Sequence, residues 1–182
     1  MQNQAKNNSI GFAFFFEKMK KRFNILFLLI FLCQSFISWN QKKNKLNSTI
    51  SDTLYLNTLI NQWHLDAANT KLGDYFGVMT DNFVFLGTAP GERWNKDQFY
   101  TFCKPYFDKG KAWDFKPTKR NWVFTKDRKM AWFDEDLDTW MMGCRGSGIC
   151  ILEKGVWKIA YYNLTVLIEN EKIQKFIDLR KE

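Results

Sequence analysis

The 182-residue chain has a single histidine, His64, and its four cysteines never fall in a Cys-x-x-Cys pair. Zinc sites draw on clustered Cys and His ligands at short spacing, so a zinc site is excluded by supply. Proline is scarce at three residues and glycine stands at ten, which leaves out collagen-like and Pro/Gly-rich disordered architectures. No apolar run reaches the roughly 20 residues that a comfortable membrane-spanning helix needs. A phosphate loop is missing too: Gly143, Gly146 and Gly148 precede an expected strand rather than a helix, and suit close strand packing or a bulge. Ser147 has no histidine near it in the sequence, which disfavours a serine nucleophile.

What the chain has in quantity is aromatic side chains, 18% of residues, with eight Trp and 18 Phe. That load disfavours disorder. It fits either a ring-filled core or an aromatic-lined cavity. The net charge of +8 invites a nucleic-acid partner. Half of it, however, sits in residues 1–35, where Lys6, Lys18, Lys20, Lys21 and Arg22 face one acid, Glu17. More lysines cluster at 42–45 and from Lys172 to Lys181, leaving the central region near neutrality. Nucleic acid is therefore not expected as a partner.

"MKKRFNILFLLIFLC", starting at Met19, has a basic stretch followed by a short apolar run from Phe23 to Cys33. This is the layout of a secretory signal. Cleavage after Ser35 or Ser38 and an uncleaved membrane anchor are both compatible with it, and Met19 is an alternative start. The chain is expected to be exported, periplasmic or secreted, and to meet a membrane only through this segment. Four regions follow: extension and signal over 1–38, a Lys/Asn-rich linker over 39–51, a folded domain over 52–168, and a polar C-terminal helix over 169–182. Cys144 and Cys150 are six residues apart on one expected strand. That is about 20 Å, too far to bridge. With Cys103 they read as small buried apolar residues.

Leu56, Ile60, Trp63 and Ala67 recur at helical spacing and predict a helix over 53–70. A short helix over 74–79 and a strand over 82–86 come next. "GTAPGERW" is a loop, and Asn95 caps a third helix that Gly110 ends. Four strands, 111–126, 129–142, 144–154 and 156–168, are consecutive, so antiparallel hairpins join them most simply. The order predicts an α+β domain, a sheet wrapped on one face by helices.

"AWFDEDLDTW", from Ala131 to Trp140, puts Trp132, Asp134, Asp136, Asp138 and Trp140 on one face of a strand and Ala131, Phe133, Glu135, Leu137 and Thr139 on the other. Burying three carboxylates without cations costs several kcal/mol each, so the three Asp cannot all line a dry pocket. Either their face meets solvent, or one of them, Asp134 or Asp136, lies in a cavity beside Arg145 and acts as a general base. Alternate residues on one strand lie about 6.6 Å apart, too spread for a tight metal site, and no metal or other cofactor is expected.

The element order, with "FVFLGTAPGERWNKDQF", "AWFDEDLDTW" and "CRGSGICILEKGVWKIAYYNLTV", resembles SnoaL-like domain proteins of the nuclear transport factor 2-like superfamily over about 52–168. The resemblance implies a cone-shaped α+β fold, a curved antiparallel sheet wrapped by N-terminal helices. It implies a pocket between the first helix and the concave sheet face. Its members include isomerases, dehydratases, cyclases, hydrolases and pure binding or dimerisation modules, so fold alone does not assign a reaction. Members often carry histidines at the end of the last strand, in slots held here by Tyr161, Tyr162 and Asn163. Pocket candidates are Trp63, Trp94, Trp113, Trp122, Trp132, Arg145, Tyr162 and Asn163, with Asp134, Asp136 and His64 as candidate acid/base groups. The leading expectation is an exported small-molecule-binding domain. The alternatives are an isomerase-, dehydratase- or cyclase-type enzyme with a pocket Asp as base, and a module that homodimerises through the outer sheet face.

Overall fold

A computed structural model describes residues 50–181, together with positions 34, 39, 41, 43 and 48. The expected signal, the extension and most of the linker lie outside the described residues. Contacts group Thr53–Glu182 as one compact unit, and the description concerns that unit.

The first helix, α1, covers residues 53–68 of the unit. Leu56, Ile60, Trp63 and Ala67 are buried along one side of it. The neighbouring row, Asn57, Asn61 and His64, is polar and lies beside that apolar stripe. Thr70 ends the helix in the left-handed region at φ 55°. The Lys71 N–H closes the turn on the Asp66 carbonyl at 2.8 Å, satisfying an orphan acceptor. After it come α2 (Leu72–Gly77), β1 (Met79–Leu86), β2 (Arg93–Asn95) and α3 (Lys96–Asp108). The Asn95 side chain accepts from the Gln98 N–H at 2.9 Å, and the Gln98 side chain accepts from the Asn95 N–H at 3.0 Å. This reciprocal box is what starts α3 where the sequence places it.

Four long strands follow: β3 (Lys116–Phe124), β4 (Met130–Thr139), β5 (Met142–Glu153) and β6 (Val156–Val166). A 3₁₀ turn at Asn170–Lys172 and a short α4 (Ile173–Leu179) close the chain. The strands form one curved, unclosed six-stranded sheet in the order β2-β1-β6-β5-β4-β3. β3 to β6 make the antiparallel meander that their short turns dictate. One pairing departs from an all-antiparallel sheet: β1 lies parallel to β6, with Val84 opposite Tyr161 and Phe85 opposite Tyr162. Hairpin logic cannot anticipate this, because the helix α3 and four further strands separate the two in sequence. β2 also emerges as a short strand from the stretch read as a loop, pairing Trp94 with Phe85.

The core lies between α1, α2, α3 and one face of the sheet. Trp63 stacks on Tyr75 at 5.0 Å, and Phe85 stacks on Phe99 at 4.1 Å. Cys103, Cys144 and Cys150 are free thiols, all buried. Burial pushes the Cys150 thiol up to about 12 and raises Cys103 as well, so both stay protonated and inert.

Candidate functional site

β4 carries two chemistries on its two faces, and the register decides which of them meets the helices. Ala131, Phe133, Glu135 and Leu137 face inward and are buried. Trp132 and Asp134 face outward and are exposed, and Asp136 is half-buried on the same side. Asp134 accepts from the Asn121 side chain at 2.9 Å. Asp136 sits 3.3 Å from Arg145, which is itself exposed. The acidic face of "AWFDEDLDTW" is thus the wet outer surface. A pocket role for Asp134 or Asp136 beside Arg145 gives way to a solvent-facing ion pair.

The inward acid is Glu135, with 0% exposure. β3 brings Arg120 opposite it, and β5 brings Gly146 opposite on the other side. Arg120 grips one carboxylate oxygen through Nε at 2.9 Å and Nη2 at 2.6 Å. The other oxygen accepts from the Tyr162 hydroxyl at 2.7 Å and lies 2.8 Å from His64 Nε2. An ionised carboxylate only accepts, so His64 Nε2 carries the proton of that bond. Arg120 continues to α1, reaching Asn57 Oδ1 at 3.2 Å and Asn61 Oδ1 at 3.0 Å. The Trp122 indole N–H also ends on Asn57 Oδ1, at 2.9 Å. The polar row of α1 is therefore a docking strip for β3 and β4.

Burial alone pushes the Glu135 carboxyl up. The His64 bond and charge, the Arg120 charge and the Tyr162 hydroxyl together overcome it and hold the group below its ordinary 4.5. The Tyr162 hydroxyl is held well above 10 by burial and by the Glu135 charge, so it stays a donor. Space for the Tyr162–Glu135 bond comes from Gly146. A Cβ there would run into the Tyr162 hydroxyl and would lie 2.9 Å from Glu135 Cγ. The carboxylate of this cluster is ionised, saturated with donors and out of solvent. Chemically it is an anchor rather than a poised base.

Next to the cluster, at the other side of Phe85 and Phe115, a cavity of about 900 Å³ opens. Phe85 packs on Tyr162 at 5.9 Å, and Phe115 faces His64 at 6.5 Å. Its walls carry Trp94, Phe99, Phe102, Tyr106, Trp113 and Trp140. Four of its rings lie nearly parallel: Trp94 and Phe102 are 4.5 Å apart at 22°, and Phe85 and Phe99 are 4.1 Å apart at 11°. Charged groups sit with them as Glu92, Lys111, Asp114, Lys116 and Asp138. Asp114 and Lys116 pair at 3.6 Å, and Glu92 accepts from the Ala89 N–H at 2.9 Å.

Of the candidate binding residues, the structure brings Trp94 and Trp113 to the cavity. Trp63 and Tyr162 belong to the packed interior, and Trp122 to the α1 docking strip. Trp132 and Arg145 lie on the outer sheet face, as does Asn163, opposite Ser147 in the row that holds Asp134. His64, a candidate base, is 4% exposed and committed to Glu135. Sequence reasoning passed over Glu135, Arg120 and Asn57. The available signal was an acid at the centre of an apolar alternation, between Phe133 and Leu137. No group of three or more His, Cys, Asp or Glu among the described residues is arranged to hold a metal ion.

A family profile for SnoaL-like domains matches residues 56–169. Among curated proteins, none matches the sequence significantly. Similar solved structures include a nuclear transport factor 2-like protein of unknown function from Pseudomonas putida KT2440. It is 10% identical with a TM-score of 0.57, covering 68% of this chain and 92% of that one. A protein from Novosphingobium aromaticivorans DSM 12444, provisionally assigned as a scytalone dehydratase, is 7% identical with a TM-score of 0.58, covering 67% and 88%. A second Novosphingobium aromaticivorans protein, provisionally assigned as an aromatic ring hydroxylase, is 14% identical with a TM-score of 0.57, covering 66% and 92%. At these identities the likeness is one of fold.

Proposed function

The chain belongs to the SnoaL-like domain family, and we propose that it binds a flat, largely apolar small molecule in the aromatic cavity, without a reaction assigned to it. The observation that carries this reading is the wall of near-parallel rings formed by Phe85, Trp94, Phe99 and Phe102. Offset stacking on such a wall rewards a planar ring system over a bulky aliphatic one, by about 0.5–1.5 kcal/mol per ring pair. The cavity's volume of about 900 Å³ suits a ligand of several rings. Charged groups among the lining give the ligand's polar end a place.

An enzymatic reading with a pocket Asp as base has less support, because the cavity wall holds Asp114 and Asp138, both near solvent, and neither Asp134 nor Asp136. The test is titration with a fluorescent aromatic probe such as anilinonaphthalene sulfonate. Trp94→Ala and Phe102→Ala are expected to weaken binding about tenfold each. Unchanged affinity in both variants would sink the reading.

A second reading, a homodimer formed through the outer sheet face, draws on one row of side chains. Val123, Trp132, Ile149, Tyr161 and Val84 stand opposite one another across five strands, on the side away from the helices. Val123 and Trp132 are 47% and 45% exposed, part of an apolar band that a second copy could cover. Sedimentation of a Trp132→Glu variant as a monomer, against a wild-type dimer, is the expected result. A monomeric wild type overturns it.

A further inference from the structure

We propose that Trp140 is a binding residue of the cavity, closing over a bound ring system so that the ligand is held between two aromatic faces. The proposal rests on the cavity reading above and adds the side chain that completes it. By alternation Trp140 would continue the outer row of Trp132, Asp134, Asp136 and Asp138. β4 ends at Thr139, however, and the turn that follows brings Trp140 to the cavity wall with Met141.

The backbone of this turn is fixed from within. The Thr139 hydroxyl donates to the Met142 carbonyl at 2.9 Å and accepts from the Met141 N–H at 3.0 Å. Met142 takes the left-handed conformation, at φ 71°, and stands opposite Thr139 across the hairpin. The next residue, Gly143, is tied to the chain leaving β6, because its carbonyl accepts from the Leu167 N–H at 3.0 Å.

The indole on this frame is not held. Trp140 is 80% exposed. Each of the other rings in the cavity wall packs on a neighbouring ring, down to Tyr106 on Phe102 at 5.4 Å and Phe115 on Trp113 at 6.5 Å. Among the described residues Trp140 has no such partner. A ring entering the cavity therefore meets one aromatic face already packed, on Phe85, Trp94, Phe99 and Phe102, and a second that is still open, on Trp140.

Closure asks little of the protein. Only two side-chain torsions have to settle, so a large contact area is ordered at small entropic cost. An exposed side chain changes rotamer in picoseconds to nanoseconds, so the indole keeps pace with ligand entry. Stacking on both sides favours a flat ring system over a thick aliphatic one, which can lie flush against neither face.

Titration of the full chain with anilinonaphthalene sulfonate tests the proposal, together with oxidation of tryptophan by N-bromosuccinimide read by peptide mass spectrometry. Trp140→Ala is expected to weaken probe binding about tenfold, mainly through faster dissociation. Trp140→Phe, which keeps a ring face, is expected to retain most of the affinity. Urea midpoints of both variants should match wild type, because the side chain is exposed. In wild type, oxidation of Trp140 is expected to slow as the probe saturates, while Trp132, 45% exposed on the outer face, reacts at an unchanged rate. If Trp140→Ala binds as wild type does, or if Trp140 is oxidised equally fast with probe bound, the closure falls; weaker binding by Trp94→Ala and Phe102→Ala would then leave the cavity reading standing. If those two variants bind normally and only Trp140→Ala is weakened, the probe lies outside the ring wall, and both readings fall. Protection of Trp140 that grows with protein concentration in the absence of probe means that a second copy covers it, which overturns the proposal as well.

Discussion

The two faces of β4 carry four carboxylates between them, and the lone one matters more to the fold than the three together. On the outer face Asp134 and Asp136 meet water, an amide and an exposed Arg145, and Asp138, exposed as well, reaches the rim of the cavity. On the inner face Glu135 meets Arg120, Tyr162 and His64 and no solvent. Water screens the first set, so each pairing contributes little. The second set stands in a low-dielectric interior, where every partner counts because none can be replaced by water. The number of acids on a strand is thus a poor guide to their role. Their partners decide it.

The sharpest way to test this contrast is Glu135→Gln. It removes one charge and leaves Arg120, whose side chain is 6% exposed, buried without a counterion. A loss of about 3–5 kcal/mol is expected in urea unfolding. Gly146→Ala comes next. It keeps every partner but fills the space used by the Tyr162–Glu135 bond, and about 1–3 kcal/mol should be lost in the same assay.

Acid titration of stability, compared between wild type and Glu135→Gln, separates the faces in a second way. Glu135 has a folded pKa held below its ordinary value. Its stabilising contribution is therefore complete above the ordinary carboxylate range and is lost as pH falls through the lowered folded value. The Glu135→Gln variant should lose that part of the acid dependence, and an unchanged profile would break the contrast. The smallest effect belongs to the outer face. Asp134→Asn and Asp136→Asn should each change stability by no more than about 0.5 kcal/mol.

Much of the fold was legible beforehand, and the reasons are local. The stripe of Leu56, Ile60, Trp63 and Ala67, the Asn95 cap and the short turns between β3 and β6 each express a rule acting over a few residues. The alternation in "AWFDEDLDTW" likewise separated the two faces of β4, and the cost of burying bare carboxylates already favoured water for the triple-Asp face. What alternation cannot say is who stands opposite. Glu135 read as the odd member of an apolar face because its donors come from 15 residues upstream, at Arg120, and 71 residues upstream, at His64. The cavity was half-legible for a similar reason. Tryptophan-rich stretches announced rings, but only the packing of α3 against β1 and β2 selects Trp94 and Trp113 for the cavity and sends Trp132 to the outside.

The parallel seating of β1 against β6 bears on the order in which the domain can assemble. β1 ends at Leu86 and its partner begins at Val156, so the early strand has no long neighbour until the last hairpin has been made. α1 is in the same position, since His64, Asn57 and Asn61 find their partners only on strands that come later. On an emerging chain the meander of β3 to β6 is the part able to close on local contacts, and pairings of long sequence separation come slowly. The first helix and first strand synthesised are then the last to be seated. Until they are, the ring-lined side of the sheet stays uncovered, which makes that interval the one in which a chaperone would have most to hold.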